Sequence, residues 1–210
     1  MSTNHPAELR RRLATILVAD IAGYSRLMSE NEEATLLEMQ KFRFSLVDPT
    51  IGQHHGRIIK TMGDGLLVEF ASVHDAIECS LAVQRGMVDR MNGVPEHRQF
   101  RYRMGINLGD VLSEGDDIFG DGVNIAARLQ EIAEPNGIAI SGVVLGQLDD
   151  EVQHTFADMG AHELKNIARP VRVYHHCSQN QKKSGNVAFR PFIDVPDEKP
   201  MLITGGCLCG

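Results

Sequence analysis

The stretch GRIIKTMGDGLLVEF, residues 56–70, decides how this chain folds. Two apolar runs flank the tripeptide Gly63-Asp64-Gly65, and apolar runs separated by such a turn predict a β-hairpin. Aspartate beside glycine is common in hairpins for turn geometry alone. Whether Asp64 does more than shape the turn depends on which residues the rest of the chain brings near it.

The segments around this hairpin alternate between strand and helix patterns. Residues 13–20, LATILVAD, form an apolar run typical of a strand buried on both faces. Ser29 and Glu32 form a capping-box pattern that predicts a helix ending before Pro49, and a second helix is predicted to start at Ser72. Downstream, the patterns predict a strand in FRYRMGINLGDVL, a helix in DGVNIAARLQEIA, and strands in GIAISG and RPVRVYHH. The order β-α-β-β-α-β predicts an α+β fold with a ferredoxin-like core and additions on its C-terminal side.

The composition limits the class of protein. The 210 residues are 42% hydrophobic and 23% charged, which suits one globular domain with extensions. A net charge of −7 gives no broad positive field, so nucleic-acid binding is not expected. No apolar run approaches the roughly 18 to 20 residues of a membrane span, and no signal-peptide core is visible. With four cysteines, too few for a disulfide framework, we expect a soluble cytoplasmic protein.

Asp20 and Asp64 are candidate metal ligands. Asp20 ends a predicted buried strand and Asp64 lies in the hairpin turn, so both carboxylates can converge at one edge of the sheet. Mg²⁺ usually takes one or two protein carboxylates and leaves its other positions to water and substrate phosphates. The alternative is structural, with Asp20 ending a strand and Asp64 supplying turn geometry.

Asn124 and Arg128 form a second pair of candidates. Their i, i+4 spacing on the predicted helix places both side chains on one face, where an amide and a guanidinium can contact the same ligand. Arginine suits charge that develops on a phosphoryl group, because its planar fork donates several hydrogen bonds and stays charged. The alternative is an ordinary solvated helix face.

Four motifs in succession resemble those of class III nucleotidyl cyclases: ILVADIAGYSRL, GRIIKTMGDGLLVEF, YRMGINLGDV and DDIFGDGVNIAARL. The resemblance covers roughly residues 13–177. It implies a catalytic core that converts a nucleoside triphosphate into its 3′,5′-cyclic monophosphate and pyrophosphate. It further implies that Asp20 and Asp64 hold two Mg²⁺ or Mn²⁺ ions, that Asn124 orients the ribose, and that Arg128 stabilises the transition state.

The same resemblance assigns the substrate-binding residues and the assembly. Lys60 and Asp117 match the base-recognising pair, and Lys165 matches a lysine that contacts the terminal phosphates. Lysine only donates and ionised aspartate only accepts, which suits the N1 acceptor and N6 amino donor of adenine, whereas guanine presents the opposite pattern. ATP is therefore the expected substrate. The resemblance also implies a head-to-tail homodimer with shared active sites.

Two other functions compete with an adenylate cyclase. The chain could be a catalytically silent cyclase-homology module that binds nucleotide or a partner and signals by dimerisation, because a fold alone does not guarantee activity. The intact set of site residues argues against that reading. A diguanylate cyclase is disfavoured, because no Gly-Gly-(Asp/Glu)-Glu-Phe stretch is present.

We expect three parts along the chain: an N-terminal extension at 1–12, the cyclase domain at 13–177, and a linker with a disordered tail at 178–210. The final ITGGCLCG resembles the opening of small zinc-binding proteins related to glutathione-dependent formaldehyde-activating enzymes. A Cys-x-Cys pair supplies at most half of a zinc site, so we interpret this end as a tail.

Overall fold

The computed structural model describes residues 9–177, and these residues fold around one mixed sheet. The predicted tail and its Cys-x-Cys pair lie outside the described residues. The strands are β1 (Arg10–Ile21), β2 (Arg57–Met62), β3 (Gly65–Phe70), β4 (Tyr102–Glu114), β5 (Asp117–Phe119), β6 (Gly137–Ser141), β7 (Ala157–His162) and β8 (Val171–Cys177). The helices are α1 (Tyr24–Glu30), α2 (Glu32–Phe42), α3 (Asp48–Gln53), α4 (Val73–Met91), α5 (Asp121–Ile132), α6 (Gly142–Leu145) and α7 (Asp150–Gln153).

The sheet confirms the predicted ferredoxin-like core. Its strand order is β2-β3-β1-β4-β6-β8-β7, with the short β5 paired to β4. Among the first four strands of that order, each neighbouring pair is antiparallel, and the strands are connected through α1–α3 and α4, which is the expected β-α-β-β-α-β arrangement. The strands β6, β8 and β7 extend the sheet on the β4 side, and β6 lies parallel to β4. β6 and β8 are the predicted strands of the C-terminal additions, whereas β7 was not predicted.

β1 is buried on both faces, as its apolar run predicts. Leu17, Ala19 and Ile21 pack into the large cluster beneath α1–α4, whereas Ile16 and Val18 pack against α5 and β5 on the opposite face. Successive side chains of a strand point to opposite faces, so Asp20 continues the series on the α5 side. Helices therefore cover both faces of β1, and Asp20 lies near its C-terminal end, one residue before Ile21.

The helical segment after β1 differs from the prediction at both ends. Asn31, not Ser29, caps α2, because its side chain accepts a hydrogen bond from the amide of Ala34 at 3.0 Å. Ser29 lies within α1 and donates to the carbonyl of Arg26. The helical path does not end before Pro49, because a π-helical segment leads into α3 and places the proline in its first turn, where the missing N–H costs little.

The predicted start of the next long helix is confirmed. The hydroxyl of Ser72 accepts from the amide of Asp75 at 3.4 Å, and α4 follows for 19 residues. No helix in residues 9–177 combines the length and apolarity that a membrane crossing needs.

We predict that Gly105→Ala destabilises the fold by about 1–3 kcal/mol, the usual effect of overpacking. A Cβ at this position on β4 would lie 2.2 Å from the carbonyl oxygen of Ala126 and 2.2 Å from the amide nitrogen of Gln130. Both are backbone atoms of α5, so the helix must move. Urea unfolding followed by circular dichroism measures the effect.

The matched control is Gly52→Ala in α3. A Cβ there meets no heavy atom within 4 Å, and alanine has the better helix propensity, so stability should stay equal or rise slightly. If both alanine variants unfold at the wild-type urea concentration, the close approach of β4 and α5 does not constrain the fold.

Candidate active site

The structure brings Asp20 and Asp64 together at one end of the sheet. β1 pairs with β3 so that Ala19 lies opposite Leu66, which places the β2–β3 turn beside Asp20. The backbone amide of Ile21 donates a hydrogen bond to Oδ2 of Asp64 at 3.0 Å. The turn is therefore tied directly to the residue that follows Asp20.

The electrostatics of Asp64 reflect this position. Burial raises the pKa of the Asp64 carboxyl above its ordinary value, and the charge of Asp20 raises it further. Backbone hydrogen bonds from Ile21 and from Asp64 itself, and the positive charge of Arg103, act in the opposite direction. The site therefore holds two acidic groups whose mutual repulsion a bound cation would relieve.

The donor set fits a magnesium-type ion. Within residues 9–177, no group of three or more histidine, cysteine, aspartate or glutamate side chains is arranged to hold a metal. A pair of carboxylates matches Mg²⁺ or Mn²⁺, which retain waters and take further oxygens from phosphates, better than it matches a closed structural zinc site.

Arg103 is a site residue that the sequence analysis missed. It lies opposite Asp20 in the β1–β4 register and donates from Nε to Oδ1 at 3.0 Å and from Nη2 to Oδ2 at 2.6 Å. This bidentate geometry is the strong form of an arginine–carboxylate pair. The sequence alone does not indicate that Arg103 pairs with Asp20, because 83 residues separate them and only the strand register brings them together.

Lys60 and Asp117 meet in a second cluster. The ammonium of Lys60 lies 2.8 Å from both carboxylate oxygens of Asp117 and 5.1 Å from the ring centroid of Phe119. The hydrogen bond from Lys60 lowers the pKa of the Asp117 carboxyl, so this carboxyl remains an acceptor at neutral pH. The predicted base-reading residues are therefore adjacent, with the donor and the acceptor side by side.

A bulge in β2 directs Lys60 to this cluster. The pairing of β2 with β3 shifts between Ile58 and Lys60, so Arg57 and Lys60 face the same side although three positions separate them. Arg57 donates to the carbonyl of Asp116 at 3.3 Å. Both side chains therefore reach from β2 to the segment that begins β5.

Asn124 and Arg128 lie on the helix face that their spacing predicts. Asn124 is exposed, and Arg128 is half-buried and paired with Glu131 one turn further along α5. The opposite side of α5 packs Ala126 and Leu129 into the protein interior. The two polar side chains are therefore presented away from their own domain.

Lys165 is exposed in the turn between β7 and β8, ahead of Asn166, whose φ of 65° marks a tight turn. No hydrogen bond or ion pair in the described part of the chain joins Asp20 or Asp64 to the remaining predicted residues, Lys60, Asp117, Asn124, Arg128 and Lys165. The site residues thus form separate clusters within one chain.

A cleft elsewhere on the domain does not contain the predicted site residues. A cleft of about 750 Å³ opens between α5, β4, β6 and β8, and Asn107, Ile125 and Ser141 line it. None of the predicted site residues lines this cleft.

The sequence of this chain is similar to those of proteins from one family. Residues 9–178 match the family described as the adenylate and guanylate cyclase catalytic domain. A Rhizobium meliloti (strain 1021) protein with the provisional name adenylate cyclase 3 is 42% identical over 196 residues, covering 92% of this chain and 33% of that protein. This chain spans about a third or less of the length of the first curated relatives it matches.

Solved structures show the same fold. An adenylate/guanylate cyclase/hydrolase from Silicibacter pomeroyi is 45% identical with a TM-score of 0.77, and the match covers 81% of this chain and 99% of that one. The adenylyl cyclase CyaB from P. aeruginosa is 25% identical with a TM-score of 0.69, covering 80% of this chain and 95% of that one.

We predict that Asp64→Asn stabilises the fold at neutral pH. A carboxyl whose pKa is raised by folding favours the folded state in acid, and this contribution is lost as the pH rises from its ordinary value of 3.8 through the raised value. Asparagine keeps an oxygen for the Ile21 amide and carries no charge. The gain, measured by urea unfolding, should therefore be largest near pH 7 and shrink as the pH falls toward 3.8.

Asp158→Asn is the control, because the expected change in the stability of the fold has the opposite sign. A hydrogen bond from Arg172 lowers the pKa of the Asp158 carboxyl, so the charged form favours folding, and its removal should weaken the fold near pH 7. The loss of stability in Asp158→Asn should also become smaller as the pH falls. A destabilised Asp64→Asn at pH 7 would contradict a pKa of Asp64 that burial and the charge of Asp20 raise.

Proposed function

The chain belongs to the adenylate and guanylate cyclase catalytic domain family, and on this premise we propose that it converts ATP into 3′,5′-cyclic AMP and pyrophosphate. The observation that carries the choice of ATP is the contact between Lys60 and Asp117, with 2.8 Å from the ammonium to each carboxylate oxygen. The relative with the provisional name adenylate cyclase 3 supports the same substrate.

The Lys60–Asp117 pair reads adenine through complementary hydrogen bonds. Two of the three ammonium donors of Lys60 serve Asp117, which leaves one for N1 of adenine. The oxygens of Asp117 have further acceptor capacity for the N6 amino group. Guanine would present its O6 to the carboxylate and its N1–H to the ammonium, and buried polar groups left unpaired in this way discriminate strongly between substrates.

The acidic cluster is the proposed place of the chemical step. Asp20 and Asp64 would hold the divalent ions, which supply charge neutralisation at the phosphates and a lower pKa for the ribose 3′-hydroxyl. The 3′-hydroxyl gives its proton to water and its oxygen bonds to the α-phosphorus, while the bond from that phosphorus to the bridging oxygen of pyrophosphate breaks. Asn124 orients the ribose, Arg128 stabilises charge on the phosphoryl group, and Lys165 binds the terminal phosphates.

The division of the site into clusters supports a head-to-tail homodimer. Asn124 and Arg128 face away from their own domain, and the acidic cluster has no hydrogen bond or ion pair to them within the described chain. In a two-fold dimer, the acidic cluster of one subunit faces the base-reading cluster and α5 of the other. Symmetry then makes two equivalent sites.

The direct test is turnover of ATP and of GTP by the purified chain with Mg²⁺ or Mn²⁺, with the cyclic nucleotide identified by mass spectrometry. Cyclic AMP should form in preference to cyclic GMP, and Asp64→Ala should abolish turnover without loss of the folded state. Nucleotide binding without any cyclic product would instead identify a silent cyclase-homology module. Preferential formation of cyclic GMP would refute the base assignment.

We predict that two inactive variants, Asp20→Ala and Arg128→Ala, restore activity when they are mixed. Each mixed dimer has one site with both changes and one intact site. Random exchange at equal concentration makes half of the dimers mixed, so activity should recover to about a quarter of wild type. The measurement is the rate of cyclic AMP formation after subunit exchange.

Fluorescence energy transfer between labelled subunits is the control for exchange. If labelled subunits exchange and the mixture stays inactive, the site lies within one chain and the shared-site proposal is wrong.

A further inference from the structure

We propose that Phe119 is a positioning residue that holds the Lys60 ammonium against Asp117 and so sharpens the choice of adenine over guanine. This inference rests on the proposed function of the Lys60–Asp117 pair. The Phe119 ring centroid lies 5.1 Å from Lys60 Nζ, within the range of a cation–π contact.

The geometry of β5 places both contacts on Lys60. Asp117 and Phe119 are two positions apart on one strand, so their side chains point to the same face. Ile118 between them points inward and is 1% exposed in the core cluster that α5 covers. This buried anchor orients the carboxylate and the ring toward the same ammonium.

The exposure of the cluster explains why the ring matters. The side chains of Lys60 and Asp117 are 37% and 36% exposed, and an ion pair so open to water is screened and loses side-chain entropy. Phe119 is itself 44% exposed. Its face offers the flexible lysine a second attraction that does not consume an N–H donor.

β5 keeps its place without this contact. Arg57 bonds to the carbonyl of Asp116, and β5 pairs with β4 with Phe119 opposite Leu112 and Asp117 opposite Glu114. Loss of the ring should therefore free the lysine rather than detach the strand. A freed ammonium can swing to other acceptors, including O6 of guanine, so selectivity falls.

The test compares Phe119→Leu, Phe119→Tyr and Phe44→Leu with wild type. Leucine at 119 keeps an apolar side chain but removes the ring, and tyrosine keeps the ring. A cation–π contact at an exposed site corresponds to about a two- to fivefold effect on an equilibrium. The ATP-to-GTP ratio of kcat/KM should fall by about that factor in Phe119→Leu, through KM for ATP more than through kcat.

Phe119→Tyr should keep the wild-type ratio. Phe44→Leu is the matched control, because Phe44 is 83% exposed and lies between α2 and α3, away from β5. It should also leave the ratio unchanged. An unchanged ratio in Phe119→Leu would overturn the inference.

A second measurement does not depend on turnover. In ¹³C-labelled protein, the Lys60 side-chain methylene signals should carry the ring-current shift of Phe119 and lose order in Phe119→Leu. Unchanged order would overturn the positioning role. Loss of the dimer by sedimentation, with Lys60 order unchanged, would instead make Phe119 an interface residue.

Different results would contradict the base assignment of the Lys60–Asp117 pair and the role of Phe119. If wild-type protein shows no preference for ATP, the assignment of the base-reading pair fails. If wild type prefers ATP and Phe119→Leu keeps the full preference, only the role of Phe119 fails.

Discussion

The pairing of β1 with β4 is the constraint on which the rest of the structure depends. The two strands are in antiparallel register from Arg10 opposite Ser113 to Ile21 opposite Tyr102, and β1 is buried on both faces along most of this length. Since a slip of one residue would turn every apolar side chain of β1 to the other face, the register is strongly specified. That register alone sets Asp20 opposite Arg103.

Two clusters of polar side chains are positioned by this sheet. Near the end of β1, the β2–β3 turn brings a second carboxylate to Asp20, and the backbone amide of Ile21 holds Asp64 in place. After β4, the chain turns back into β5 and presents Asp117 to Lys60, which the pairing of β2 with β3 places opposite Leu67. Within residues 9–177, no hydrogen bond or ion pair joins the Asp20–Asp64 cluster to the Lys60–Asp117 pair. The lack of such a contact supports the proposal of a site shared between subunits.

At Asp64, burial opposes ionisation of the carboxyl group. Burial and the charge of Asp20 raise the pKa of Asp64, so at neutral pH the ionised carboxylate weakens the folded state. Perturbed carboxyl groups of this kind are concentrated at functional sites, where the unfavourable interaction serves ligand binding. The Lys60–Asp117 pair has the opposite character, because the hydrogen bond from Lys60 lowers the pKa of Asp117.

The sequence by itself determined the elements whose signals are local. Patterns a few residues long predict the β2–β3 hairpin, the burial of β1 on both faces and the cap at Ser72. The spacing of Asn124 and Arg128 likewise places them on one helix face. Three-residue β5 and the four-residue helices α6 and α7 went unrecognised, because they are too short to show a period. The true cap at Asn31 was missed because Ser29 offered a competing capping pattern.

Only the tertiary structure decided which side chains meet. Asp20 pairs with Arg103, which lies 83 residues away in the sequence, and Lys60 pairs with Asp117, which lies 57 residues away. The first contact depends on strand register, and the second depends on a bulge in β2 and on the return of β5 over the sheet. Register and bulges arise from burial of the whole sheet, which no local stretch encodes, so the partners of Asp20 and Lys60 became visible only when the strands were paired.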